Sequence, residues 1–141
     1  MLRVEPLINL WAAKGVMLPK TLDQLTRGFR EFVVAVDADD ALMGCGALRV
    51  YSSQLAEVAS LAVAEAAHGR GVGRMVVERL EAEAATLDIG TIFALTLEDG
   101  FFRRLGFRIV PKEMFPLKVW ADCRTCSKLH ACDEIAVVKE L

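Results

Sequence analysis

The sequence predicts an α/β (α+β) fold, a mixed central sheet with helices on both faces, and three observations carry that expectation. Runs rich in β-branched residues alternate with segments of helical periodicity. One of those runs leads through a cluster of glycines into a long amphipathic segment, and a further strand, a short helix and terminal strands follow it. At 141 residues, 54% hydrophobic and 26% charged, the chain suits one compact domain over residues 1–141, with no repeat or linker to divide it.

From Val4 to about Lys14, apolar side chains at Leu7, Ile8, Leu10 and Trp11 form a helical face, and Gly15 is the stop. After the break at Met17 to Thr21, Thr21 serves as N-cap of a second short helix carrying Leu22 and Leu25 and ending near Gly28. Phe32 to Val36 reads as a strand closed by the turn Asp37-Ala38-Asp39-Asp40, with Leu42 to Val50 as its hairpin partner. Gly44 and Gly46 inside that partner indicate a close backbone approach or a bulge. Leu55 to Val63 is the third strand. An amphipathic helix from about Gly71 to Thr86 follows, with Val72, Met75, Val76 and Leu80 on one side. Thr91 to Leu97 is again a strand, Phe101 to Leu105 a short helix stopped by Gly106, and Ile135 to Val138 a closing strand.

Charge and hydropathy exclude several classes of function. A formal charge of −2 gives no clustered excess of Lys and Arg for nucleic acid. No apolar run approaches the ~20 residues that span a bilayer, and Met1 to Pro6 lacks a signal-peptide layout. The expected setting is the cytoplasm, with neither nucleic acid nor membrane as partner.

The most informative stretch is Leu61-Ala62-Val63 followed, after Ala64 to Ala67, by His68-Gly69-Arg70-Gly71-Val72-Gly73-Arg74. A strand runs into glycines that open a helix, an arrangement that aims backbone N–H groups and the positive end of a helix dipole at one point, as a pyrophosphate requires. The Gly-Lys-Ser/Thr ending of a P-loop is missing, and the spacing is not that of the dinucleotide fingerprint. On these residues alone, a tight turn without a ligand is the competing reading.

Two motifs then resemble a known family. Leu61 to Val63 with His68-Gly69-Arg70-Gly71-Val72-Gly73 resembles the acetyl-CoA motif of GNAT acetyltransferases, Arg/Gln-x-x-Gly-x-Gly/Ala after a strand. Phe101-Phe102-Arg103-Arg104-Leu105-Gly106-Phe107 resembles their later helix ending in Leu-Gly-Phe. The resemblance implies a GNAT acyl-CoA N-acyltransferase fold and acetyl-CoA as co-substrate. Leu61, Ala62 and Val63 would hold the pantetheine arm on a strand splayed from its neighbour, and residues 68 to 74 the phosphates. His68 stands where the family has Arg or Gln, a small departure because backbone amides supply most of the grip.

The family often places a base where Glu57 begins the third strand. A carboxylate there suits amine acetylation, since an ammonium must lose a proton before it attacks a thioester; a solvated strand residue is the alternative. The oxyanion would meet a backbone N–H near Leu61 to Val63. Phe102 occupies the place of a tyrosine that in many members protonates the leaving thiolate, so the acid is open.

Over nearly the whole chain, Gly15 to Thr21, Gly44 to Leu48, Ala56 to Val63, Phe93 to Thr96 and the tail Lys118 to Cys126 are similar to the short, stand-alone N-acetylglutamate synthases of bacterial arginine biosynthesis. This implies L-glutamate as acceptor, with another amine, or an acetyl-CoA sensor without turnover, as the other readings. A dicarboxylate needs cationic hosts. Lys20 matches the family's basic residue after the proline; Arg124 is the second expected substrate-binding residue, with Arg49 and Lys118 as further candidates. The family's first edge strand is missing ahead of the first helix, which would leave a neighbouring strand open to pair with a second copy as a homodimer.

Cys123, Cys126, His130 and Cys132 crowd four soft ligands into one short stretch. Zinc accepts such a set, but the two-knuckle spacing of ordinary zinc sites is absent, and reduced structural thiols or a local disulfide are the favoured reading. Cys45, in an apolar strand, is a core residue rather than a nucleophile.

Overall fold

The structure, a computed structural model, describes residues 1–115 and 134–141. Its elements follow the order α1 (Val4–Ala13), α2 (Leu22–Arg27), β1 (Phe32–Val36), β2 (Leu42–Val50), β3 (Leu55–Val63), α3 (Val72–Thr86), β4 (Thr91–Thr96), α4 (Asp99–Arg104), β5 (Arg108–Val110) and β6 (Ile135–Glu140). The strands form one mixed sheet in the order β1-β2-β3-β4-β6-β5. β1, β2 and β3 are an antiparallel meander, α3 crosses over to β4 parallel to β3, and β6 lies antiparallel between β4 and β5. Among the described residues no helix is long and apolar enough to cross a membrane.

Local chemistry accounts for most boundaries. Thr21 caps α2 through a complete capping box: its Oγ1 accepts from Gln24 N at 3.1 Å, and Gln24 Oε1 accepts from Thr21 N at 2.8 Å. Asp37 Oδ1 accepts from the amides of Asp39 and Ala41 at 2.8 and 3.0 Å, closing the β1–β2 turn.

The sheet is covered on both faces. Val4, Leu7 and Ile8 of α1 and Leu25 of α2 pack with Cys45 and Ala62 on one side. Val72, Val76, Val77, Leu80 and Ala84 of α3 and Phe102 of α4 pack on Leu48, Ala56, Val58, Ile92 and Ala94 on the other. A third cluster joins Phe93, Val110, Phe115, Ala136 and Val138 beneath β4, β5 and β6. Cys45 is buried with its thiol pushed up to about 12 by desolvation, as a core residue rather than a nucleophile would be.

Two expected core positions are corrected. Met75 and Leu10 are exposed, at 54% and 43%. On α3 the buried stripe runs through Val72, Val76, Leu80 and Ala84 with Val77 beside it, and Met75 falls on the flank away from Val77. On α1 the stripe is Val4, Leu7, Ile8 and half-buried Trp11, leaving Leu10 to one side.

Gly44 and Gly46 serve close approach, since a Cβ on either would meet Val72 Cγ1 at 2.8 Å or Val76 Cγ1 at 2.7 Å. The bulge anticipated near them has its extra residue on β3: Cys45 faces Ala62 while Ala47 faces Ala59. Gly44→Ala should therefore lower stability by about 1–3 kcal/mol through overpacking, because Ala62 O at 3.1 Å bars escape on the strand side; thermal or urea unfolding measures it.

Candidate active site

β3 and β4 are paired only at Leu55↔Thr91, Ala56↔Ile92 and Glu57↔Phe93. Beyond that point β3 continues to Val63 on its β2 partner, and β4 continues to Thr96 on its β6 partner. The strands thus part, and a cleft of about 790 Å³ opens between them. Parting strands leave peptide groups facing the gap, where an extended ligand can bond as a further strand would.

The cause of the parting sits in β3. Ser60 has φ +52° and lies in the extra stretch of β3 opposite Cys45 to Ala47, and such a bulge bends its own strand. It also resets side-chain alternation. Ala56 and Val58 face α3, but beyond Ser60 it is Leu61 and Val63 that do so, while Ala62 turns to α1.

At the far end of β3 lies the glycine turn. Gly69 and Gly71 have φ of +78° and +75°, and a Cβ on either would meet nothing, so the backbone conformation and not space demands glycine there. Gly71 caps α3 without any side-chain cap bond, and the first turn of α3 holds no acidic residue. Its unbonded N–H groups and dipole can receive an anion. His68, Gly69, Gly71, Val72, Gly73 and Arg74 line the cleft together with Leu61, Ala62 and Val63, whereas Arg70 does not.

His68 is held by α1. Its ring stacks on Trp11 with centroids 5.3 Å apart and planes within 7°. Trp11 Nε1 donates to Val63 O at 3.0 Å, and His68 Nε2 lies 3.3 Å from the same oxygen. The Val63 carbonyl is therefore already engaged.

Glu57 sits where the strands begin to part, and it is the buried charged residue of the described core, at 8% exposure. Tyr51 Oη donates to Glu57 Oε1 at 3.0 Å, and Arg49, its register partner on β2, reaches to 4.0 Å. Burial raises the proton affinity of the carboxyl above its ordinary value, while Arg49, Tyr51 and Lys20 work against that rise and Glu134 adds to it. Lys20, also lining the cleft, is half-buried and pinned through its backbone: Asn9 Nδ2 donates to Lys20 O at 2.7 Å and Lys20 N donates to Asn9 Oδ1 at 3.1 Å. Burial, then the charge of Arg49, lowers the Lys20 pKa. A buried carboxylate flanked by two cations can accept a proton from a bound amine while the cations hold acidic groups of the same molecule.

Phe102 lines the cleft with its ring edge-on to Phe101 and Phe107 and carries no hydroxyl. Lys118, Cys123, Arg124, Cys126, His130 and Cys132 lie outside the described residues, and among the described residues no group of His, Cys, Asp or Glu could hold a metal ion. Trp11, Tyr51 and Glu134 were missed as members of the cleft or its wall. Trp11 reads in sequence as core, its one hint being that a buried indole N–H seeks an acceptor.

Comparison with known proteins shows the family and the fold. Residues 5–107 match the family model described as Acetyltransferase (GNAT) family. An uncharacterised N-acetyltransferase of Chlorobaculum tepidum is 43% identical over 131 residues, 93% of this chain and 84% of that one. An amino-acid acetyltransferase of Mycobacterium tuberculosis is 39% identical over 106 residues, 74% of this chain and 60% of that one. A crystal structure of an M. tuberculosis protein in complex with CoA has a TM-score of 0.83 at 30% identity, over 98% of this chain and 92% of that one. N-acetylglutamate synthase of Neisseria gonorrhoeae, complexed with coenzyme A and N-acetyl-glutamate, shares the fold at a TM-score of 0.89 and 24% identity, over 100% of this chain and 32% of that one.

The turn makes its own prediction. Gly71→Ala places a side chain in the left-handed region and should cost about 1–2 kcal/mol. Gly90→Ala, where the backbone is not in that region and a Cβ meets nothing, should leave stability level or raise it by up to about 1 kcal/mol. Paired unfolding curves decide it.

Proposed function

The chain belongs to the GNAT acetyltransferase family, and from that premise we propose that it moves the acetyl group of acetyl-CoA to the α-amine of L-glutamate, as an N-acetylglutamate synthase of arginine biosynthesis acting in the cytoplasm. The observation that carries the substrate reading is the buried Glu57 carboxylate flanked by Lys20 and Arg49 in one cleft. A general base and two cations are what an amine bearing two carboxylates needs. Similarity to an amino-acid acetyltransferase at 39% identity supports it.

In this reading the inner edge of β3 from Leu61 to Val63, apart from the Val63 carbonyl that Trp11 already engages, takes the pantetheine arm, and the turn from His68 to Arg74 takes the pyrophosphate. The bound thioester supplies an activated acetyl group. Glu57 accepts the ammonium proton, directly or through one water, and the amine attacks without a covalent enzyme intermediate. A backbone N–H between Leu61 and Val63 meets the negative charge that develops on the thioester oxygen. Phe102 gives no proton to the leaving thiolate. Lys20 and Arg49 hold the acceptor's carboxylates, and the lowered pKa of Lys20 returns toward its usual value as a carboxylate arrives.

The direct test is release of free CoA thiol from acetyl-CoA with L-glutamate, set against a panel of other amino acids and amines. Glutamate-dependent release, with Lys20→Ala raising the KM for glutamate much more than that for acetyl-CoA, supports the assignment. Release with a different amine moves the substrate and keeps the chemistry; tight acetyl-CoA binding without release with any amine points to a sensor.

Glu57→Gln should lower kcat by about 10²–10⁴-fold with little change in acetyl-CoA affinity measured by calorimetry. The base works ionised, and burial raises its pKa. On acidification kcat/KM should therefore fall at a pH above the ordinary carboxylate value of 4.5, and that limb should vanish in Glu57→Gln.

A further inference from the structure

Tyr51 is the single tyrosine of the chain, and it lies behind the cleft rather than in its lining. It follows the last residue of β2, where Tyr51 N donates to Leu55 O at 2.9 Å and so fixes the backbone across the β2–β3 turn. Its ring rests on Phe93 at 5.9 Å, and Phe93 stacks on Phe115 at 4.2 Å. Phe93 is the residue of β4 paired with Glu57 at the last rung before the strands part. Backbone and ring together leave the hydroxyl one direction to take, and it ends 3.0 Å from Glu57 Oε1.

The phenol is held as a donor. Burial, then the charge of Glu57, pushes its pKa up to about 12, so it keeps its proton wherever an acetyl transfer from thioester to amine can be assayed. The contacts of the described residues with Glu57 fall on one oxygen, with Tyr51 at 3.0 Å and Arg49 at 4.0 Å. Among the described residues no hydrogen bond falls on the other oxygen, which can receive a proton.

We propose that Tyr51 is the positioning residue of Glu57: by donating to one carboxylate oxygen it turns the other toward the acceptor amine and sets the pH at which the transfer becomes active. This rests on the reading of Glu57 as general base. Among the described residues the other charged groups around the carboxylate are Arg49 on β2, Lys20 ahead of α2 and Glu134 ahead of β6. Arg49 and Lys20 favour its ionised form and Glu134 opposes it, and none of them holds it as a neutral donor does.

Tyr51→Phe keeps the ring on Phe93 and removes the hydroxyl. It should lower kcat/KM at neutral pH by about tenfold, move the acidic limb of the profile to higher pH, and leave the acetyl-CoA dissociation constant unchanged. Because the tyrosine is single, growth on 3-fluorotyrosine alters Tyr51 alone. The more acidic phenol is a stronger donor, so the limb should move to lower pH, and the one ¹⁹F resonance should titrate with it. The fluorinated protein carries the test should Tyr51→Phe fold poorly. The double variant Tyr51→Phe/Glu57→Gln should be no slower than Glu57→Gln alone, since Tyr51 acts through Glu57. A limb unmoved by both changes, with Glu57→Gln still slowed as expected, overturns the role of Tyr51 only. Full turnover in Glu57→Gln overturns the base itself and this inference with it.

Discussion

The parallel ladder between β3 and β4 holds from Leu55↔Thr91 to Glu57↔Phe93 and then stops, and the chemistry of the cleft follows from where it stops. A parallel pair normally continues as far as both strands last, because each buried peptide group needs a partner. Here both strands continue, each satisfied on its outer side by β2 or β6, with the inner side given over to the gap. The extra residue of the Ser60 bulge bends β3 aside, and α3 fills the space under the bend with Val72 and Val76 set against the bare backbone of Gly44 and Gly46. An acetyltransferase needs a narrow slot in which a long, flexible thioester can be held straight. Strands that separate provide one without a loop having to close over it.

Placing Glu57 at the last paired rung sets its electrostatics. One residue further along or one residue back, a carboxylate would point toward the α3 core with Val58 or Ala56. At the junction it is nearly sealed from water yet reachable from the cleft. Desolvation raises its affinity for a proton, while Arg49, Tyr51 and Lys20 keep the charged form accessible. The two tendencies oppose one another at one carboxyl, so its ionisation responds to the charge of whatever enters the cleft.

How much of this could be read from the sequence depends on the range of the interaction involved. Thr21 with Gln24, Gly28, and the glycines at 69 and 71 act within a few residues, so their caps and turns were legible, as was the strand that feeds the turn. The helical stripes were legible in outline, with Met75 and Leu10 misplaced because several apolar residues in succession blur the angle of the buried face. Nothing in the local pattern marks Ser60, since serine has no special claim to a positive φ and the bulge exists only relative to β2. β5 is three residues long and takes its place from pairing with β6 across an intervening stretch, a purely long-range fact. Glu57 was found through its place in a family pattern, whereas Tyr51 required three dimensions, because residues six apart on either side of a hairpin turn come together only once the register is known.

Helix α1 ties the two ends of the cleft into one rigid frame. Asn9 holds the backbone of Lys20 through two hydrogen bonds, and Trp11, two residues further along the same helix, holds the Val63 carbonyl and stacks on His68 at the start of the glycine turn. Lys14, one turn on from Leu10, reaches Glu65 just ahead of that turn and lies over the Trp11 ring. Lys20 and the glycine turn, the proposed holders of an acceptor's acidic group and of a pyrophosphate, are therefore set by a single packed element, whose Val4, Leu7 and Ile8 are buried against the sheet. A bimolecular transfer gains most when both reactants are fixed in one frame and not in two that move independently. The same clamp fits the proposed role of His68, which stands where the resembled family has Arg or Gln: with its ring held by Trp11 it sets the path of the backbone into Gly69 and Gly71, whose following amides would do the binding.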